Sequence, residues 1–138
     1  MSADINEFYL FHGTSSEMAE VICKHCFDER VASLNGLYVA GSYFAMNSCK
    51  SHQYSSAKGK SSNFVMLVCR VAMGSPYCTV TSHRNERRPP DNGATPGRPF
   101  DSIFAQHGIG SGGEQHHNEV VVFDHNQVYP EYIVRYTA

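Results

Sequence analysis

The run "FVMLVCRVAMG", residues 64–74, constrains the fold of this chain more than any other stretch. Arg70 is its one charged residue, and its apolar positions alternate too little for a strand with one wet face. It therefore reads as a buried strand at the centre of a sheet. Such a strand needs neighbours. "EFYLFHGT" (7–14) and "SYFAM" (42–46) read as strands, "YCTVT" (77–81) as one that pairs beside the central run, and "DSIFA" (101–105) as another. "EVVVFDHNQVYPEYIVRY" (119–136) reads as two antiparallel strands, with Pro130 at an edge or a bulge because proline has no N–H to give a ladder. About seven strands against two short helices is an α+β architecture with a mostly antiparallel sheet. At 138 residues, without internal repeats, the chain is expected to form a single domain, 1–138.

Thr14-Ser15-Ser16-Glu17 has a capping-box pattern and opens the first helix, with Met18, Val21 and Ile22 expected to face inward. His12 and Gly13 then lie at a strand-to-helix turn. "NSCKSHQY" (47–54) reads as the second helix, capped by Asn47, and Ser51 and Tyr54 at i and i+3 share one of its faces. A strand end delivering Tyr43 and a helix face delivering Ser51 and Tyr54 can hold a flat polar ring between aromatic walls, with a hydroxyl at its edge. Residues 26–41, 55–63, 82–99 and 106–118 are loop-like, rich in Gly, Ser, Pro or Arg. "GIGSGG" (108–113) has the composition of a phosphate cradle, but no strand-loop-helix context or GK[ST] accompanies it, so it reads as a surface loop.

A net charge of -2 argues against a general nucleic-acid surface, and the basic cluster "HRNERRPP" (83–90) is short, broken by Glu86 and read as a solvated loop. No apolar run is long enough for a signal peptide or a membrane span, so no membrane partner is expected. The odd number of cysteines, Cys23, Cys26, Cys49, Cys69 and Cys78, fits reduced thiols and an intracellular location, cytoplasmic or nuclear. Cys23-x-x-Cys26 lies inside a predicted helix with no second pair after it, so no metal is expected. His116 and His117 read as exposed loop residues.

Three segments in order, "FHGT", "AGSYFAMNSCKSHQY" and "NEVVVFDHNQVYPEY", carry a more specific signal. With them the chain strongly resembles the catalytic domain of the poly(ADP-ribose) polymerases, the diphtheria-toxin-like ADP-ribosyltransferases, from Tyr9 to Tyr136. "FDER", the pattern AG.YFA.NS.KS.QY and "YPEY" are similar to tankyrases in particular. The resemblance implies a split-sheet fold and transfer of ADP-ribose from NAD to an acceptor, with release of nicotinamide. The acceptor expected is a protein, with a nucleic acid as the other candidate. The family's His-Tyr-Glu signature falls on His12, Tyr43 and Glu119, a set compatible with poly(ADP-ribose) synthesis. Its nicotinamide-pocket serine and second tyrosine fall on Ser51 and Tyr54, and Gly13, Lys50 and Arg30 complete the implied NAD-binding set. Asp28–Tyr38 would lie over the dinucleotide. Relatives carry glycine where this chain has Cys26 and Val39, and tankyrases carry a zinc insertion where this chain has "SSAKGKSSN". The chain is expected to be a pared-down catalytic unit without an autoinhibitory helical domain. The competing expectation is a degenerate module that binds NAD, ADP-ribose or a nucleic-acid end without turnover.

Overall fold

The computed structural model describes residues 3–27, 41–56, 63–80, 89–93, 96–106 and 117–138. Arg30, Val39, the segment 28–38, the link 57–62, the basic stretch 83–88 and the glycine-rich loop 107–116 with His116 lie outside the described residues. The elements run β1 (Glu7–Thr14), α1 (Ser16–His25), β2 (Ser42–Ala45), α2 (Ser48–Ser56), β3 (Asn63–Ala72), β4 (Pro76–Thr79), β5 (Ser102–Ala105), β6 (Glu119–Val122) and β7 (Val128–Thr137). The strands form one seven-stranded sheet in the order β4-β5-β6-β2-β1-β3-β7. Every neighbouring pair is antiparallel except β4 and β5.

The long apolar run forms β3, between β1 and β7. Val65, Leu67, Cys69 and Val71 point into the main core with Leu10, Ala19, Ile22, Phe27 and Phe44. On the other face Met66 is buried and its neighbours are half covered. Truncating a side chain such as Leu67, 0% exposed, to alanine removes about 2–5 kcal/mol of stability.

Several expectations about placement are corrected. "YCTVT" forms a strand, β4, but at the far edge of the sheet from β3. β6 and β7 are not antiparallel partners: β6 inserts between β2 and β5, β7 pairs with β3, and the two run in the same direction. Burial explains the placement, since all four residues of β6 are buried and need neighbours on both sides, whereas β7 is mostly exposed and takes an edge. In α1 the N-cap is Ser15, accepting from the N–H of Met18, and Thr14 is the last residue of β1. Ala19 and Ile22 face the core, while Met18 and Val21 are exposed. Cys26 is not within the helix but caps its end, with φ of 63°. Pro130 does sit in an edge strand, opposite the register shift between Val68 and Cys69.

One irregularity in the sheet positions the site. β1 and β3 are in register from Glu7↔Ala72 to Thr14↔Val65, but β1 and β2 share only Phe11↔Ala45. The sheet is therefore two halves, β4-β5-β6-β2 and β1-β3-β7, that diverge beyond a single pair. This is the split sheet, and His12, Gly13 and the first residue of β6 border the split.

Candidate active site

A nine-residue helix is too short to hold itself in water, so α2 depends on what it touches. It lies flush against β1 at Gly13. A Cβ built there would fall 1.8 Å from the Ser51 carbonyl oxygen and 3.1 Å from Ser55 Oγ, so only glycine allows this approach. Ser55 Oγ also donates to the Val65 carbonyl at 2.9 Å, and His52 Nδ1 pairs with the Tyr136 hydroxyl at 2.8 Å. Asn47 precedes the helix, and its carbonyl accepts from the Lys50 N–H.

Side-chain hydrogen bonds cross the split. His12 Nδ1 lies 2.7 Å from the Tyr43 carbonyl oxygen. A carbonyl can only accept, so Nδ1 carries the hydrogen, and in the neutral ring Nε2 is the acceptor nitrogen. Phe27 and Phe44 pack on the imidazole, with centroids 4.9 and 5.4 Å away. The second link is longer in sequence: the Tyr54 hydroxyl donates to Glu119 Oε1 at 2.7 Å. Glu119 opens β6, paired with Ala45 on one side and Ala105 on the other, and is 1% exposed. Burying a carboxylate is unfavourable unless it is hydrogen-bonded. A strand start beside the split supplies the depth, and Tyr54 supplies a donor.

The expected residues thus converge in part. His12 meets Tyr43 through the backbone, and Tyr54 meets Glu119 through side chains. Lys50 Nζ lies 5.6 Å from the Tyr54 ring centroid, within reach of a cation–π contact. Ser51 is buried on the side of α2 that presses on Gly13, whereas the Tyr54 ring is 39% exposed. The Tyr43 ring packs with Ile103, Ala105 and Val121 in a second small core. Arg30 lies outside the described residues.

Sequence reasoning passed over one pair beside the site. His117, two residues before Glu119, has Nε2 3.1 Å from Cys49 Sγ. The partners are 68 residues apart, and nothing in either segment marks the other. Among the described residues no group of three or more His, Cys, Asp or Glu is placed to hold a metal ion, and no helix is long and apolar enough to cross a membrane.

Residues 1–138 match the family described as the poly(ADP-ribose) polymerase catalytic domain. The chain is 35% identical to protein mono-ADP-ribosyltransferase PARP12 of Mus musculus over 98% of its length, and 34% identical to the Homo sapiens PARP12 over 97%. It is 30% identical to protein mono-ADP-ribosyltransferase PARP11 of Homo sapiens over 94% of its length. It spans 17–18% of the PARP12 proteins and 41% of that PARP11. The special likeness to tankyrases is corrected by these relatives, which are mono-ADP-ribosyltransferases. A family match over the whole chain, a split sheet and a buried glutamate at the head of β6 lead to one conclusion: the chain belongs to the poly(ADP-ribose) polymerase catalytic-domain family, whose reaction is transfer of ADP-ribose from NAD.

Proposed function

We propose that this chain transfers ADP-ribose from NAD to a protein acceptor, with Glu119 as the catalytic carboxylate and His12, Gly13, Tyr43, Ser51 and Tyr54 holding the donor. The observation that carries the reading is the buried Glu119 carboxylate, met across the split by the Tyr54 hydroxyl at 2.7 Å. Breaking the bond from nicotinamide to ribose develops positive charge on the sugar, as glycoside cleavage does. A buried carboxylate beside that sugar stabilises the charge more than an exposed one, because little water screens it. A carboxylate accepts at both oxygens, so Tyr54 on Oε1 does not exclude a ribose hydroxyl on the same group.

The other residues act by placement. Gly13, past the last β1–β2 pair, offers backbone N–H and C=O groups to a carboxamide, and the glycine that lets α2 approach leaves no side chain in the way. Ser51 is 1% exposed, so its hydroxyl meets a ligand at the floor of the cleft, where a hydrogen bond is little weakened by water. His12, fixed by the Tyr43 carbonyl, presents an imidazole with a set tautomer to the adenosine ribose. Stacking by Tyr54 and Tyr43 favours the cationic ring before reaction, so its contribution is orientation.

The relatives are mono-ADP-ribosyltransferases, which favours transfer of a single ADP-ribose here. The His12, Tyr43 and Glu119 set is compatible with extension to a polymer as well. Incubation with labelled NAD, followed by gel and mass analysis, reads activity, acceptor and chain length together. Glu119→Gln should melt with the wild type and bind NAD similarly, while turnover falls on the order of a hundredfold or more. Equal transfer by Glu119→Gln and wild type would remove the catalytic role of Glu119, whereas no transfer by the wild type would leave a domain that binds NAD or ADP-ribose only.

A further inference from the structure

The geometry points to Cys49 as a covalent modification site for small apolar electrophiles of the enal and enone class, with His117 as its base and the adjoining cavity as the seat of the alkyl chain. The cavity, about 350 Å³, lies between α2 and the sheet, where Phe11, Met66 and Val134 form its apolar wall and Cys49 borders it. Volumes of this size suit small molecules. Phe11 and His12 are consecutive on β1 and so point to opposite faces of the sheet, which sets this cavity apart from the imidazole of the proposed NAD site. Cys49 and His52 also leave α2 on a different side from Tyr54, which bonds Glu119, and from Lys50 over its ring.

The chemistry follows from the pair. A thiol 3.1 Å from an imidazole nitrogen can pass its proton there as sulfur attacks, the arrangement by which a cysteine nucleophile is activated. Cys49 is exposed, so a reagent can reach it. In the step, Sγ bonds to the β-carbon of the conjugated double bond, and the displaced π pair moves onto the carbonyl system as an enolate. The proton held on Nε2 then returns to the α-carbon. Nothing leaves, and no oxidant or reductant is needed. The apolar wall selects reagents with a hydrocarbon tail, and the tail gives the site its preference over other thiols.

The chain contains its own controls. Cys23, Cys26 and Cys78 are exposed, whereas Cys69 is buried and its thiol is pushed up to about 12 by that burial, so it marks the unreactive floor. Peptide mass analysis after timed exposure to trans-2-nonenal should show Cys49 modified on the order of tenfold faster than the other exposed cysteines. Acrolein, the same electrophile without the tail, should lose most of that preference. His117→Ala should slow Cys49 with either reagent while leaving its preference for nonenal over acrolein, and Val134→Phe should slow nonenal but not acrolein. Equal nonenal rates at the four exposed cysteines of the wild-type chain would overturn the site without recourse to any variant. A Cys49 rate untouched by His117→Ala would overturn the base, and an equal preference for acrolein would overturn the apolar seat.

Discussion

Tyr54 carries two groups whose proposed roles separate chemically. Its ring is a stacking surface in the proposed cleft, while its hydroxyl holds Glu119 Oε1 at 2.7 Å. Tyr54→Phe keeps the first and removes the second. A hydrogen bond to a charged group contributes about 1.5–3 kcal/mol, so turnover should fall roughly tenfold or more while NAD affinity stays within about threefold. Tyr54→Ala should lose affinity as well. Calorimetry beside single-turnover transfer separates the two, and unchanged turnover in Tyr54→Phe would show that the hydroxyl does not position the carboxylate. At this scale the candidates of the proposed site, His12, Tyr43, Ser51, Tyr54 and Glu119, could be named from the sequence, because each sits in one of the motifs that carry the family resemblance. The Tyr54–Glu119 contact was not, since it joins residues 65 apart through a fold that periodicity does not specify. The Cys49–His117 pair was hidden for the same reason.

Elements were legible in kind and less so in phase. β1 runs over the residues expected, Glu7–Thr14, because an apolar stretch ends there at a glycine and a helix cap. α1 was expected to turn Met18 and Val21 inward, and it does not. The cap falls on Ser15, and the small Ala19 occupies the place of closest approach to the sheet. One residue of phase is about 100° of rotation, enough to exchange a buried face for an exposed one. At the other end of α1, Cys26 has φ 63° and ψ -178°, a region that favours glycine. Such strain is of order 1–3 kcal/mol, while glycine gives back about 0.4–1 kcal/mol through a more flexible unfolded chain. Cys26→Gly should therefore stabilise the protein by about 1 kcal/mol, a rise in Tm of about 3 °C in a chain of this size. Thermal melts of the two proteins test this, and a lower Tm for the glycine variant would count against strain at this cap.

For the whole molecule, the main core contains a titratable group. Burial, and secondarily the charge of Cys23, pushes the Cys69 thiol up from 9.0 to about 12. The unfolded thiol loses its proton at lower pH than the folded one, so deprotonation draws the equilibrium toward the unfolded chain. The stabilising contribution is fully present below pH 9 and is lost as pH rises toward 12. Tyr9, raised chiefly by its hydrogen bond to Glu131, acts in the same direction at alkaline pH. Urea midpoints between pH 8 and pH 11 should fall more steeply for wild type than for Cys69→Ala, whatever the variant's absolute stability, and parallel curves would contradict the burial of that thiol. Strand number and class were readable from composition and pattern, but not the neighbours of β4, β6 and β7, because a period of two identifies a strand without naming its partner. The resulting order bears on synthesis. The chain crosses between the halves of the split sheet four times, from β1 to β2, β2 to β3, β3 to β4 and β6 to β7. One half waits for β6 and the other for β7, so a ribosome that has released residues 1–118 has completed neither. Such long-range pairing slows folding and leaves edges open meanwhile. The nascent chain therefore needs shelter from its neighbours until residues 119–137 emerge, and a stop codon anywhere before them leaves two unfinished sheets rather than a shorter enzyme.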